Sequence, residues 1–439
     1  METGVRILIV GGGYVGLYSA LRLERRLRGA DDVEIVLVNP ESFMTYQPFL
    51  PEAASGNIEP RHVVIPLRTV LKRTRVVTAE VTAIDHSARS ATIRPEAGPD
   101  DVLAYDHLVL APGSISRVLP VPGLAERAVG FKSVAEAIFL RNRVLARMDA
   151  AESTGDETAR RRALSFLFVG GGYAGVEALA ELEDLARDAC RYFRTVRRKH
   201  MRWVLVEASD GILPEIGSGL GEYALERLRH RGIEIHLRTR LDSAEGGLMR
   251  LSNGVSFEAE TLVWTTGVRA HPLLARTDLP LDERGRLRTD EFLRVRGVEG
   301  AWTAGDCAAV PDLTTGGLSP PTAQHALRQA RQLGDNLART LTGEELVAFR
   351  YRNLGSLVSL GRYKGVARVV TVRLRGFPAW FLHRSYHLTQ IPTLNRKIRV
   401  MLDWTVALFF RRDVVQLGSL GRPRALFEQA AEDPEAPPP

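Results

Sequence analysis

Two sets of three glycines with identical spacing are the residues of this sequence best suited to chemistry. They are Gly11, Gly13 and Gly16 after the apolar run "RILIV", and Gly170, Gly172 and Gly175 after the apolar run "SFLFV". In a loop of this GxGxxG pattern, the first glycine permits a tight turn, the second lets the backbone approach a pyrophosphate, and the third lets helix and strand pack closely. The helix start adds free N–H groups and the positive end of its dipole. Each loop is therefore predicted to bind the phosphates of a dinucleotide.

A polar residue closes the second strand of each glycine-loop unit. Glu207 follows "RWVLV", and a carboxylate at that place accepts both ribose hydroxyls while repelling a 2′-phosphate, which favours NADH over NADPH. Arg202 begins the same run, so this inference depends on where the strand ends. The counterpart in the first unit is Asn39, which either hydrogen-bonds a ribose without carrying charge or forms a turn before Pro40.

The elements that must position these loops also occur twice. Residues 6–40 read as an apolar strand, a glycine turn, an amphipathic helix and a second strand, and residues 165–207 repeat that order. One glycine loop can be a purely structural turn, whereas two in this strand–helix context favour binding. Short β-type runs follow each unit, so we predict an α/β fold with two Rossmann-like, three-layer domains. Residues 40–68 are predicted to form a long ordered loop, a kind of loop that is usually functional.

Composition and cysteine usage narrow the class of protein. The chain has 439 residues, 45% of them hydrophobic and 25% charged, which is the balance of a folded protein with two or three domains. Cys190 and Cys307 are the two cysteines and form no CxxC pair, so a reducing cytosol is expected and a disulfide or metal site is not. Neither a signal peptide nor a membrane-spanning helix is predicted. Packing is the favoured role of Cys307 over redox chemistry.

The positive charge of the chain is concentrated near its C-terminus. Residues 376–424 contain eight Lys or Arg against two acidic residues, out of a net charge of +7. The runs "FPAWFLHRSYHL" and "IRVMLDWTVALFF" mix apolar, aromatic and basic residues, which predicts amphipathic helices at an anionic membrane surface. The alternative is a helix pair that packs on the rest of the chain or on a second subunit. No nucleic-acid motif accompanies the charge, and residues 426–439 are predicted to be a disordered tail.

Further motifs carry a resemblance to a known family. With "LVLAPG" after the first unit, "LVWTTG" after the second and "TAGD" near residue 305, the chain resembles flavoproteins with two dinucleotide-binding domains. The segments "NPESFMTYQPFLPEAASGNIEP", "TAQHAL", "FRYRNLGSLVSLGRYKGVARV" and "AWFLHRSYHL" resemble the type II NADH dehydrogenases, which are monotopic NADH:quinone oxidoreductases. The resemblance implies FAD in the first loop and NADH in the second.

The same resemblance implies a set of site residues and domain limits. The FAD-binding residues would be Gly11, Gly12, Gly13, Gly16, Asn39, Gln47, Ala111, Gly113, Gly305, Asp306, Ala323 and Gln324. The NADH-binding residues would be Gly170, Gly172, Gly175, Glu177, Glu207 and Gly267. The FAD domain would comprise 1–125 and 270–345, the NAD(H) domain 126–269, and the C-terminal membrane-association region 346–425. No metal site is implied.

Glu177 and Gln324 are candidates for catalysis, and a third residue, Arg328, departs from the family pattern. Glu177, expected in the first turn of the second helix, matches a family glutamate near flavin and nicotinamide, although an acid there could simply suit the helix dipole. Gln324 matches a family glutamine beside flavin and quinone, although it could be an ordinary polar residue at a helix start. Arg328 stands where the family has a second glutamine, and its fixed charge would also suit a different acceptor.

The function implied by the resemblance is an FAD-dependent NADH dehydrogenase. It would pass electrons to a membrane quinone without pumping protons, from a peripheral position on the cytoplasmic face of the cell membrane. No nucleic-acid partner is expected, and a homodimer is one option. One alternative is a soluble NADH-dependent oxidoreductase with a protein or small-molecule acceptor, such as a ferredoxin reductase or a diaphorase. The other is a redox-sensing flavoprotein that binds NADH and acts through partner contacts.

Overall fold

The computed structural model describes residues 4–352 and 355–416 of the chain. Up to residue 129 the elements are β1 (Val5–Val10), α1 (Tyr14–Arg26), β2 (Val33–Asn39), β3 (Phe43–Thr45), α2 (Leu50–Ala54), β4 (Val64–Pro66), α3 (Leu67–Val70), β5 (Thr74–Asp85), β6 (Ser90–Pro95), β7 (Asp101–Ala104), β8 (His107–Leu110), β9 (Ser114–Ser116), α4 (Leu124–Arg127) and β10 (Ala128–Val129).

The second βαβ unit and its β-rich continuation follow. Their elements are α5 (Val134–Ser153), α6 (Glu157–Ala163), β11 (Ser165–Val169), α7 (Tyr173–Ala189), β12 (Arg202–Val206), α8 (Ser218–His230), β13 (Ile233–His236), β14 (Leu241–Ser243), β15 (Leu248–Leu251), β16 (Ser256–Glu258) and β17 (Thr261–Trp264). The chain then forms β18 (Val268–Ala270), β19 (Leu287–Arg288), β20 (Ala301–Thr303), β21 (Ala308–Ala309), α9 (Ala323–Thr342), β22 (Gly355–Ser359), β23 (Gly365–Val369), β24 (Val372–Arg375), α10 (Phe377–Gln390) and α11 (Leu394–Phe409).

The first glycine-loop unit lies in a seven-stranded sheet of order β20-β8-β1-β2-β5-β6-β7. The strands from β20 to β5 are parallel, and β5, β6 and β7 continue as an antiparallel meander. From Ile7 to Val10 the strand β1 is apolar because both of its faces are buried there. Ile7 and Ile9 belong to the core that includes α1 and α9, whereas Leu8 and Val10 belong to the core on the meander side.

The second unit repeats this arrangement in a five-stranded parallel sheet of order β10-β17-β11-β12-β13. On one face Phe166 and Trp203 stack with ring centroids 4.3 Å apart, in the same core as the apolar residues of α7. On the other face Leu167 and Val169 pack with the small antiparallel sheet β14-β15-β16. Each parallel sheet is thus layered between helices and a β layer, and the predicted α/β fold with two Rossmann-like units is confirmed.

Two crossings and one long helix join the units. The chain leaves the first unit at β9 and returns at β18, and these two strands pair antiparallel to each other. After the return, α9 packs against α1. The domain limits given above stay a prediction, and the tail at 426–439 lies outside the described residues.

The prediction of a long loop over residues 40–68 is wrong. The segment contains the β3–β4 pair and helix α2, with 3-10 turns on either side of the helix. Its proline and glycine residues suggested a loop, but the apolar side chains between them are buried. These are Phe49, Leu50, Ala53, Ala54 and Ile58. Burial therefore holds this segment as part of the core.

A buried ion pair fastens the C-terminal helices to α2. Glu52 accepts two hydrogen bonds from Arg384, at 3.0 and 2.6 Å, and one from the indole N–H of Trp404 at 2.8 Å. The guanidinium of Arg384 also lies 4.0 Å from the Trp380 ring centroid and 4.8 Å from that of Trp404. The Glu52 and Arg384 side chains are 1% and 9% exposed, so removal of one partner leaves a buried charge without compensation.

The substitution Arg384→Met is expected to lower the free energy of unfolding by about 3 kcal/mol, because Glu52 stays buried without its cation. The exposed Arg399 of α11, which donates to Asn395 at 2.9 Å, provides the matched control. Arg399→Met should change stability by less than about 0.5 kcal/mol. Urea unfolding of both variants measures the difference, and equal losses would contradict the assigned role of the pair.

Candidate functional site

The first glycine loop has the shape that a pyrophosphate requires. Gly11 has φ +100°, a left-handed value that glycine adopts readily, and a Cβ on Gly16 would overlap the carbonyl oxygen of Gly11. At Gly13, by contrast, an added Cβ would meet no atom within 4 Å. Helix α1 begins just after Gly13 with no side-chain cap and no acidic residue in its first turn. Free N–H groups therefore face open space suited to a phosphate.

The second loop repeats these features residue for residue. Gly170 has φ +116°, and a Cβ on Gly175 would overlap the Gly170 carbonyl oxygen. A Cβ added at Gly172 would meet no atom within 4 Å. Helix α7 also starts without a side-chain cap or an acidic residue in its first turn. The two loops thus form two equivalent anion-binding cradles.

The residues that close β2 and β12 contact the glycine loops in the same way. The Asn39 side-chain oxygen accepts the N–H of Gly12 at 2.7 Å, and the Glu207 carboxylate accepts the N–H of Gly171 at 2.6 Å. Asn39 also donates to the Glu41 carbonyl oxygen at 2.7 Å, so its turn-forming role and its place beside the loop coexist. Both side chains lie where a ribose would meet the loop.

The charge beside the second loop is negative. Glu207 directly follows the last residue of β12, Val206, while Arg202 begins that strand and is paired with Glu234 at 2.8 Å. Arg202 is therefore at the opposite end of the strand from the loop. The other Glu207 oxygen accepts the N–H and the hydroxyl of Ser209, at 2.8 and 2.7 Å. This carboxylate is held in place, half-buried, at the loop.

A polar cluster gathers at the first loop's side of the molecule. The Ser114 hydroxyl donates to Asp306 at 2.6 Å, and the Lys132 ammonium donates to the Ser114 hydroxyl and carbonyl oxygens, both at 2.8 Å. The Gln47 amide donates to the Lys132 carbonyl oxygen at 3.2 Å. Burial lowers the pKa of Lys132, against the opposing effect of Asp306 and Glu136. The cluster brings together Gln47 and Asp306, which the sequence indicated, with Ser114 and Lys132, which it did not.

A signal for Lys132 was present in the sequence. Ser133 and Glu136 form a capping box, in which Ser133 accepts from the Glu136 N–H and Glu136 accepts from the Ser133 N–H. The pattern S-x-x-E marks a helix start. A lysine immediately before such a start points away from the helix body and is a candidate for a site.

Four other predicted glycine and alanine positions line turns beside these loops. Gly113, Gly267 and Gly305 have φ between +75° and +80°, and added Cβ atoms at Gly113 and Gly267 would meet nothing within 4 Å. The Ala111 carbonyl oxygen is what a Cβ on Gly11 would strike. The Gly305 N–H donates to the buried Gln329 of α9 at 2.8 Å, a contact that sequence reasoning missed.

The start of α9 faces the C-terminal part of the chain. The helix begins at Ala323 after the cap Thr322, and the Gln324 side chain accepts from the Tyr351 hydroxyl at 3.1 Å. The Arg328 guanidinium lies 4.3 Å from the Tyr351 ring centroid and donates to the Gln324 carbonyl oxygen at 3.1 Å. Gln324 and Arg328 are therefore joined through one tyrosine, with the cation stacked on its ring.

Glu177 lies deeper in α7 than the sequence suggested. The helix starts at Tyr173, so Glu177 is in its second turn, and the prediction of a first-turn acid is wrong. The helix dipole stabilises acidic side chains in the first turn, so it does not explain an acid at this position. Its carboxylate accepts the N–H of Ser359 in β22 at 2.8 Å and lies 3.4 Å from Nε2 of His383 in α10. Glu177 thus connects the second loop's helix to the C-terminal region.

Cys307 is a packed residue. It is fully buried, its Sγ lies 3.3 Å from the Ala304 carbonyl oxygen, and burial raises the pKa of its thiol to about 11. The thiolate needed for redox chemistry is therefore scarce at neutral pH. The geometry agrees with the packing role favoured above.

The two cradles, each with a polar residue at its ribose side, define an oxidoreductase with two dinucleotide sites. The sequence profile of the pyridine nucleotide-disulphide oxidoreductase family matches residues 5–330. The type II NADH:quinone oxidoreductase Ndh of Mycobacterium tuberculosis is 30% identical over 422 residues, which cover 93% of this chain and 89% of that protein. The type II NADH:quinone oxidoreductase of Staphylococcus epidermidis is 31% identical over 387 residues, which cover 86% of this chain and 93% of that protein.

A solved structure, that of NDH2 from Plasmodium falciparum in complex with NADH, superposes with a TM-score of 0.88 at 16% identity, covering 94% of this chain and all of that one. At that identity the likeness supports the fold. The chain belongs to the pyridine nucleotide-disulphide oxidoreductases and, among them, to the type II NADH:quinone oxidoreductases. The resemblance stated from the sequence, and the assignment as an oxidoreductase enzyme, are confirmed.

A pair of alanine substitutions in the first loop separates folding from cofactor binding. Gly13→Ala places a Cβ in open space, so the chain should fold with unchanged stability but bind FAD at least about tenfold more weakly, since the methyl occupies the phosphate's place. Gly16→Ala drives a Cβ into the Gly11 carbonyl and should destabilise the fold itself by about 2 kcal/mol or more. FAD titration and thermal unfolding of the apoproteins measure the two effects. Loss of stability in G13A would contradict the assignment.

Proposed function

We propose that this enzyme takes hydride from NADH onto FAD held at the first glycine loop and passes the electrons to a membrane quinone, without pumping protons. The observation that carries the proposal is the pair of equivalent cradles at Gly13 and Gly172, in a chain of the type II NADH:quinone oxidoreductase family. When bound, FAD supplies the chemistry by accepting two electrons as hydride and releasing them to an acceptor. The protein binds and orients the two nucleotides.

FAD suits the first loop because permanent retention needs more than a phosphate cradle. The α1 N-terminus binds the pyrophosphate, Asn39 meets the ribose, and the cluster of Asp306, Ser114 and Lys132 offers hydrogen-bonding groups to the rest of the flavin nucleotide. Gln47 covers this cluster from the segment before α2. The remaining FAD contacts proposed are those at Gly11, Gly12, Gly16, Ala111, Gly113, Gly305, Ala323 and Gln324.

NADH suits the second loop because of its acidic ribose side. Glu207 repels the 2′-phosphate of NADPH and accepts the ribose hydroxyls of NADH. The backbone can approach the nucleotide closely at four glycines, Gly170, Gly172, Gly175 and Gly267. Glu177 lies on α7, the helix that follows this loop.

We propose that the quinone binds at the C-terminal side of the first unit, where Gln324 and Arg328 contact Tyr351. Both side chains carry N–H donors suited to a quinone carbonyl oxygen. The fixed charge of Arg328 adds attraction for an acceptor that gains electron density on reduction. We propose Gln324 and Glu177 as residues of the catalytic site.

An anaerobic experiment tests the reaction in two steps. NADH is expected to bleach the flavin of the holoenzyme, NADPH to do so at least about tenfold more slowly because of Glu207, and a short-chain quinone to restore the colour. Stopped-flow absorbance measures all three. Recovery of colour with a small-molecule or protein acceptor but not with quinone would make the chain an oxidoreductase of another kind. Bleaching without rapid turnover on any acceptor would favour a redox sensor.

The C-terminal helices leave an apolar surface open. In α10 and α11 the exposed large side chains are Phe377, Phe381, Leu394, Ile398, Met401, Leu402, Val406, Leu408 and Phe409, with Phe409 79% exposed. Arg396, Lys397 and Arg399 lie on α11, and Arg411 follows its end. In the described part of the chain, no helix has the length and apolarity to cross a bilayer. We propose that this surface docks on anionic lipid, which places the enzyme peripherally on the inner face of the cell membrane.

Paired glutamine substitutions test the docking surface. Leu402→Gln with Phe409→Gln should reduce co-sedimentation with anionic vesicles on the order of 100-fold, since each large apolar side chain contributes about 1.5–3 kcal/mol when buried. Val118→Gln with Phe139→Gln, at exposed positions 57% and 48% accessible outside these helices, should leave it unchanged. Equal vesicle binding by both double variants would contradict membrane docking and favour a homodimer as the occupant, which sedimentation velocity would detect.

A further inference from the structure

The strand β17 borders a cavity at the end that faces away from the second glycine loop. Its last residue, Trp264, leads into Thr265, which a Cβ added at Gly170 would strike. Its first two residues, Thr261 and Leu262, instead line a cavity of about 250 Å³. The two ends of this four-residue strand lie about 10 Å apart, so the cavity is separate from the nucleotide cradle.

The cavity is lined by both apolar and cationic side chains. Helix α5 contributes Phe139, which is 48% exposed, and the buried Leu140, and β10 contributes Val129. The cationic side chains are those of Arg127, the last residue of α4, and Arg143 of α5. The volume is below the range of about 300–1,000 Å³ that is usual for larger ligands. The cavity therefore has the size and lining for a small molecule with a negative charge and an apolar part.

Most hydrogen-bond donors of these two arginines have no protein partner. One Arg143 nitrogen donates to the Glu260 carbonyl oxygen at 2.6 Å, and its other N–H groups have no partner among residues 4–352 and 355–416. In the same residues the Arg127 guanidinium has neither a hydrogen bond nor an ion pair. Guanidinium groups bind carboxylate and phosphate oxygens through paired N–H groups. Both arginines thus have donors available for such an anion.

The glutamates that line the cavity do not take up these donors. The Glu260 carboxylate accepts from Arg147 and, at 2.9 Å, from Nε of Arg162, so each of its oxygens already has an arginine partner. Glu126, the other acidic residue of the lining, is exposed to water. The positive charge around the cavity therefore exceeds the negative charge.

The repulsion among the arginines acts on a half-buried group. Burial lowers the pKa of Arg143, and the cations of Arg147 and Arg127 lower it further, whereas Glu260 acts in the opposite direction. Arginine nevertheless keeps its proton, so the repulsion persists at neutral pH. The Thr261 hydroxyl and Nε of Arg147 are buried and have no partner in the part of the chain that the structure describes. Buried polar atoms without a partner indicate a bound molecule or ion.

We propose that this cavity binds a small organic anion, with its phosphate or carboxylate group at Arg127 and Arg143 and its apolar part against Phe139 and Leu140. The anionic group supplies the acceptors and the negative charge that the arginines lack. The apolar part buries surface that an inorganic anion would leave in water. This site is additional to both glycine loops, and its ligand is neither nucleotide nor electron acceptor.

Calorimetric titration of the holoenzyme tests the proposal, with NAD⁺ at saturation so that the second loop is filled. The probes are phenyl phosphate and phenylacetate, which separate a phosphate from a carboxylate ligand. At least one should bind, at least about tenfold more tightly than inorganic phosphate or acetate, because its ring is buried. Arg143→Met and Arg127→Met should each weaken that binding at least about tenfold, since a charge-assisted hydrogen bond is lost.

The matched control is Arg229→Met. Arg229 is exposed on α8, which packs against β13 at the opposite edge of the five-stranded sheet from β10. R229M should bind the probe as the wild type does. Absence of binding by both probes, or binding that NAD⁺ abolishes, would overturn the proposed site. Equal affinity of R143M, R127M and the wild type would overturn it as well.

Chemical modification of arginines adds a readout that needs no variant. Phenylglyoxal reacts with accessible arginines, and peptide mass spectrometry follows each one. With the bound probe at ten times its Kd, modification of Arg127 should slow by about tenfold, while Arg229 reacts at an unchanged rate. Unchanged modification of Arg127, or equal slowing at both positions, would contradict binding in this cavity.

Discussion

The compensation of buried carboxylates on α7 is the interaction on which the arrangement of this molecule depends. The helix that follows the second glycine loop carries four buried acidic residues, Glu177, Glu181, Glu183 and Asp184. Carboxylates without partners cannot stay ionised in a core, so their partners must reach them there. Those partners include His383, Arg412, Arg198 and Arg231. The C-terminal region is thereby fixed to the nucleotide-binding part of the chain, and burial raises the pKa of Glu181 where compensation is weakest.

Local requirements made the glycine loops and their helices predictable from the sequence. In each loop one position needs a left-handed backbone, one needs space for a phosphate and one needs close packing, and all three requirements select glycine. The strand ends likewise select a polar residue, Asn39 or Glu207. The acids of α7 carry no such local signal, because their partners lie far away in sequence and "EALAELEDLARD" has the composition of an ordinary amphipathic helix. His383 was missed for the same reason, whereas the capping box that follows Lys132 was a local signal that went unused. The proline-rich segment around α2 was misread because its burial depends on α5 and α7.

Two units with one architecture differ mainly in the charge and the polar groups beside their glycine loops. The ribose side of the first loop is uncharged, and a half-buried polar cluster of Asp306, Ser114 and Lys132 adds hydrogen-bonding groups on that side of the molecule. The second loop has a carboxylate, Glu207, that stands half-exposed at its rim. Additional polar contacts suit a nucleotide that stays bound, and a single carboxylate at the loop suits one that exchanges in every turnover. The functional asymmetry therefore arises from what surrounds two nearly identical backbone turns.

The attachment of α11 has a consequence for the behaviour of the purified protein. Asp403 accepts from His62 at 2.6 Å and from the Glu59 N–H at 3.1 Å, and Trp404 is held by Glu52, so one side of the helix is fixed. Its opposite side carries Leu402 and Phe409 into water. In a lipid-free buffer, two such surfaces lower their free energy by covering each other. Self-association in that buffer would thus increase with protein concentration. A mild detergent would reverse it by covering the apolar side of α11.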